Sequence, residues 1–179
     1  MEKFKNKYRV PSARAQWWDY GRDAAYFITI CTANREHFFG QISNGKMQLS
    51  PIGVIADMCW FDIKHHAKHI ELGAFVVMPN HIHGILILDG NNRPEKKSQP
   101  MHENEGKTRF QNQGKNTISA IVGSYKSAVS KHARRLGFEF AWQPRFHDHI
   151  IRDEPAFQQI SNYVLQNPLK WQEDTFYVP

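Results

Sequence analysis

Cysteine is nearly absent from this 179-residue chain, which holds only Cys31 and Cys59. They lack metal-site spacing and sit in apolar contexts, so reduced thiols are expected rather than a disulfide scaffold or thiolate metal cage. Long apolar runs are missing too. No stretch is long enough to span a bilayer, and the opening MEKFKNKYRV has no secretory hydrophobic segment. Both absences read as a cytoplasmic chain without a membrane partner. Nor does any Ser/His/Asp spacing stand out, so a serine or cysteine nucleophile would lack a paired base.

What is present is ordinary in bulk and uneven in placement. Apolar residues make up 41% and charged residues 22%, which fits a globular domain of this length with one core. A formal charge of +6 tilts the partner toward nucleic acid. Residues 1–24 form a basic, aromatic arm in which Lys3, Lys5, Lys7, Arg9 and Arg14 precede Trp17, Trp18 and Tyr20. Cations beside flat rings suit a surface that follows a phosphate backbone and stacks bases. A basic tail whose aromatics pack on the domain would look the same. Arg9, Arg14, Trp17 and Trp18 are the candidate DNA contacts of this arm, with Lys126 and Arg145 added from the domain.

Residues 25–179 read as one domain. AYFITIC (25–31) is a strand, and HFFGQI leads into a turn at Ser43-Asn44-Gly45. Ser50-Pro51 opens a helix carrying Ile52, Ile55, Cys59 and Ile63 at helical spacing. His65, His66 and His69 look like exposed groups at its end. A hairpin follows, IELGAFVVM and HIHGILIL about Pro79-Asn80. Residues 89–116 are polar and rich in glycine and proline, and read as a flexible insertion. Thr117 caps a second helix with Ile118, Ile121, Tyr125, Val129 and Leu136 as its buried stripe, ended by Gly137. FEFAWQPRFHDHIIR holds a fourth core strand, and Asp153-Glu154-Pro155 starts a last helix that Pro168 closes or kinks. This order suits an α+β, ferredoxin-like or RRM-like four-stranded antiparallel sheet, with helices on one face and an additional C-terminal helix.

Two histidines interrupt the apolar run FVVMPNHIHGILIL. His81 and His83 are two apart on a strand, so both rings share a face. Two unpaired polar rings would be costly to bury there. They can hold a divalent metal, or fill space against a hydrogen-bonding neighbour. Tyr163 and Asn167 are four apart on the last helix and also share a face. Meeting the histidines, Asn167 would complete an N,N,O set suited to Mg²⁺ or Mn²⁺. Tyr163 would then be the nucleophile, a phenol of pKa near 10 that attacks poorly unless a metal polarises its target. His147 and His149 repeat the same-face spacing as possible supporting groups, DNA contacts or an alternative metal pair.

These residues carry a resemblance. MPNHIHGIL looks like the histidine–hydrophobic–histidine motif of single-tyrosine HUH nucleases, and YVLQNPLKW resembles the segment around their catalytic tyrosine. The whole pattern is similar to the REP-associated tyrosine transposases, relatives of the IS200/IS605 transposases. YFITICTANREHFF, SYKSAVSK and WQPRFHDHIIRDEPAF add to the likeness, which spans about residues 8–171. The resemblance implies a metal-dependent endonuclease and transposase that cuts single-stranded DNA, often beside a hairpin. His81 and His83 would bind the metal and Asn167 would be its third ligand. Tyr163 would be linked to the 5′ phosphate, leaving a free 3′ hydroxyl. IS200/IS605 members are dimers sharing active sites and REP-associated members can act as monomers, so either state remains open. The alternative is a non-catalytic, RRM-like domain binding single-stranded nucleic acid through sheet aromatics such as Phe27 and Phe75. A histidine-triad hydrolase would want a third histidine where Ile85 stands.

Overall fold

The computed structural model describes residues 24–88 and 117–178. Most of the basic arm, with Arg9, Arg14, Trp17 and Trp18, lies outside the described residues, as does the 89–116 insertion.

Four strands form the central antiparallel sheet: β1 (Ala24–Cys31), β4 (Ile70–Val77), β5 (His81–Leu88) and β6 (His147–Ile151). Their order is β4-β5-β1-β6, the ferredoxin-like arrangement. β2 (Gly40–Ser43) and β3 (Lys46–Leu49) make a separate hairpin. Its turn residues Asn44 and Gly45 both have positive φ, 51° and 69°, which matches the twist of a two-residue hairpin. Sequence reading recognised that turn but not the returning strand.

The helices start and stop where local chemistry dictates. Ser50 accepts from the Gly53 N–H at 3.0 Å and donates to the Phe38 carbonyl at 2.6 Å, capping α1 (Pro51–His66). Thr117 accepts from the Ala120 N–H at 3.3 Å and caps α2 (Ile118–Arg135). Gly137, at φ 80°, turns the chain away after it. Leu136 does not belong to the buried stripe: it is 62% exposed, because this turn carries it past the last helical contact. Asp153 accepts from the Ala156 N–H at 2.8 Å and caps α3 (Glu154–Gln166). A 3-10 segment, Asn167–Glu173, continues from α3 through Pro168.

Strand alternation divides the sheet into two unlike faces. Tyr26, Ile28, Ile30, Ile82 and Leu86 are fully buried in the main core with α1 and α2 residues. Trp60 of α1 is wholly buried there and stacks on Phe75, ring centres 4.5 Å apart and planes within 8°. Phe75 therefore belongs to the helix-covered face and is not a surface for bases. The indole needs a gap in β5. Gly84 provides it, since a Cβ at that position would lie 2.2 Å from Trp60 Cζ2. On the opposite face, α3 packs over β4 and β5. That second face holds the histidines.

Candidate metal centre

Six polar residues are buried among the described residues: Thr29, Thr32, Asn80, His81, His83 and Asn167. Buried polar groups persist only where something satisfies them, and those on β1, β5 and the turn before it are linked. Thr32 Oγ1 donates to the Asn80 carbonyl at 2.9 Å, fixing the turn before β5. The Asn80 amide donates to the Phe176 carbonyl at 2.8 Å, which leaves its Oδ1 as an acceptor for His81 Nδ1, also at 2.8 Å. Thr29, opposite His83 across the β1–β5 ladder, meets His83 Nδ1 at 2.9 Å. Both rings are thus held at Nδ1, and their Nε2 atoms converge to 3.1 Å.

This network constrains the protons. His81 donates from Nδ1, so its Nε2 carries a lone pair. The close Nε2 contact then needs a proton on His83 Nε2, with Thr29 donating to His83 Nδ1. A cation between the rings would take both Nε2 lone pairs and move the His83 proton to Nδ1, where Thr29 accepts it. A hydroxyl serves either arrangement by rotating. Burial drives both imidazoles toward the neutral, ligating form. The His83 pKa falls to about 3, through burial and then the nearby His147. That of His81 is well below the ordinary histidine value, through burial, His83 and Arg35.

Asp174 joins the pair. Its carboxylate and the two imidazoles offer ligand atoms all within 4.8 Å of one another. One oxygen accepts from the Phe176 N–H at 2.6 Å, while the other, Oδ2, is buried without a hydrogen-bond partner. Asn167, the third ligand expected from sequence, is 2% exposed, and its Oδ1 is likewise buried and unpartnered. Two neutral imidazoles and a carboxylate with an unpartnered oxygen form a donor set able to coordinate a divalent metal ion. Sequence reading missed Asp174 because no local pattern marks it. The chain brings it back over β5 after Trp171, whose ring lies 6.0 Å from that of His81. Phe176 covers the site at 4.7 Å from the His81 ring, with the Arg35 guanidinium 4.2 Å above it.

Tyr163 faces this cluster. Its Oη lies 3.4 Å from His83 Nε2, and its ring meets Phe27 edge-on at 6.1 Å. The side chain is 44% exposed. Partial burial raises its pKa, as does the Asp174 carboxylate, while a hydrogen bond from Asn167 opposes the shift. The phenol is therefore neutral at ordinary pH.

The other expected residues are dispersed. His147 and His149 are exposed on β6, opposite Thr29 and Phe27, on the same sheet face as His83 but outside the cluster. Arg145 is exposed before that strand. The Lys126 ammonium is engaged within the fold, donating to the carbonyls of Gln143 at 2.8 Å and Arg145 at 3.0 Å. His66 is exposed and pairs with Asp62 at 2.8 Å. No helix among the described residues is long and apolar enough to cross a membrane.

Fold and site together define a class: a ferredoxin-like α+β domain with a candidate divalent-metal cluster next to a tyrosine hydroxyl. No family model matches the chain. An uncharacterized protein of Haemophilus influenzae is 36% identical over 173 residues, covering 93% of this chain and 92% of that protein. The chain belongs to the family of that protein. A solved REP-associated tyrosine transposase bound to a REP hairpin shares the fold, with a TM-score of 0.56 and 20% identity over 88% of this chain and 74% of the other.

Proposed function

We propose that this protein is a metal-dependent single-strand DNA endonuclease and strand-transferase of the HUH type, a REP-associated tyrosine transposase acting beside hairpin DNA in the cytoplasm. One observation carries the reading: Tyr163 Oη stands 3.4 Å from His83 Nε2, at the edge of the His81/His83/Asp174 cluster. His81 and His83 would hold the cation, with oxygen from Asp174, Asn167 or both. A bound Mg²⁺ or Mn²⁺ supplies Lewis-acid polarisation of the scissile phosphate. Tyr163 Oη attacks phosphorus and loses its proton as the P–O3′ bond breaks. A 5′-phosphotyrosine link forms, and the departing 3′ oxygen takes up a proton. Because one phosphoester replaces another, a 3′ hydroxyl can attack the link and rejoin or transfer the strand.

The RRM-like binding module is less well supported. A fully open aromatic sheet would serve that role, yet Phe75 is stacked on Trp60 and α3 covers the β4–β5 half of the other face. It also leaves the buried imidazole pair without a purpose.

The test is covalent trapping on hairpin DNA taken from the flanks of the gene. With Mg²⁺ or Mn²⁺, a denaturation-resistant protein–DNA adduct forms on wild type and vanishes in Tyr163→Phe. Cleavage falls by on the order of a thousandfold or more, as for other lost nucleophiles. An adduct that persists in Tyr163→Phe overturns the assignment of nucleophile.

A further inference from the structure

We propose that the strand to be cut lies along edge strand β6, with His147 contacting its backbone and His149 together with Phe27 stacking one of its bases. This deepens the proposed nuclease reading and rests on it. The geometry begins at the cluster. Thr29 pairs with His83 on one side and His147 on the other, while Phe27 pairs with Ile85 and His149. Residues directly opposite across a ladder share a face, so His83, Thr29 and His147 form one row and Ile85, Phe27 and His149 the next. Two strand spacings put His147 about 10 Å from His83, a few nucleotides at most along a single strand.

Coverage singles out this side. α3 lies over β4 and β5, whereas His147 and His149 are both exposed. Phe27 links the open side to the chemistry, its ring 5.2 Å from His83 and 6.1 Å from Tyr163. The charge fits an anionic strand. Exposed Arg145 and Arg152 stand at the two ends of β6. The acids within and just after β6 are turned away or engaged: Asp148 points to the opposite face, Asp153 caps α3 and Glu154 accepts from Gln158 at 2.7 Å. A polyanion with flat bases matches two imidazoles, a phenyl ring and flanking guanidiniums better than a neutral peptide edge would.

The experiment uses the full chain and a hairpin oligonucleotide from the gene flank bearing a single-stranded extension. 4-Thiothymidine is placed at each extension position in turn, with EDTA present to prevent cutting. Irradiation followed by peptide mapping should locate cross-links within residues 142–152 or at Phe27. Cross-links found only elsewhere in the chain, or no binding of the extension at all, would overturn the proposal. In parallel, a His147→Ala/His149→Ala variant should bind the extended hairpin about tenfold more weakly, and a blunt hairpin equally well. An unchanged Kd for the extended hairpin would count against it. These are binding readouts, so wild type that cross-links through β6 but never cuts would refute the nuclease reading alone. Cutting with cross-links elsewhere would refute only this one.

Discussion

His81 and His83 bring their Nε2 atoms to 3.1 Å while Asn80 and Thr29 hold the opposite ring nitrogens at 2.8 and 2.9 Å. A pair so aligned, neutral and buried could take a divalent cation without first turning its rings.

Asp174 and Asn167 can be told apart. If the carboxylate is the stronger ligand, Asp174→Ala should weaken Mn²⁺ binding more than Asn167→Ala does. The loss should exceed the roughly 10–100-fold typical of removing a supporting partner. Isothermal titration with Mn²⁺ measures both, and the reverse order would restore Asn167 as principal ligand.

Thr29→Val keeps the side-chain shape and deletes the hydroxyl that positions His83. Mn²⁺ affinity should drop about 10–100-fold with little change in fold. Equal affinity in the valine variant would mean that β5 alone orients the ring.

Acid should destabilise the metal-free protein through these rings. Their folded pKa values lie below 6.5, that of His83 at about 3. Below pH 6.5 the unfolded chain takes up protons that the folded chain refuses. The contribution to stability is therefore complete above pH 6.5 and declines as pH falls toward 3. The slope is at most about 1.4 kcal/mol per pH unit for each ring. Urea midpoints at pH 7, 6, 5 and 4 should fall more steeply for wild type than for a variant lacking both histidines.

Gly84→Ala tests the other side of the same strand. Its new methyl would meet the Trp60 indole at 2.2 Å, and the fully buried ring has no free direction in which to move. Overpacking of this kind costs about 1–3 kcal/mol. Thermal unfolding reads it, and a Tm equal to wild type would show that the core yields there.

The framework was legible because its signals are local. Ser50-Pro51, Thr117 and Gly137 mark helix ends by caps and backbone freedom, and the apolar run around Pro79-Asn80 marks the β4–β5 hairpin. The sheet order followed from element order. The β3 strand escaped because KMQL is short and mostly exposed, although Asn44-Gly45 is a strong hairpin signal. At the site, the His81/His83 spacing and the Tyr163/Asn167 helical pair were readable. Asp174, Thr29 and Phe176 were not, because tertiary folding brings them to the imidazoles from distant segments. Leu136 was misread because an apolar residue at helical spacing carries no sign of where the helix stops. Lys126 was read as a candidate DNA contact, and its bonds to the Gln143 and Arg145 carbonyls could not be foreseen because they come from a loop well along the chain.

β5 lies between β1 and β4, bonded on both sides. A one-residue slip against either neighbour would turn both imidazoles into the packed interior and swing Ile82 and Leu86 toward the tyrosine. Trp60 would lose its notch at the same stroke. Mispairing of β5 and loss of the cation pocket are thus one event, so a population that folds with its indole properly seated also has its ligands facing the right way.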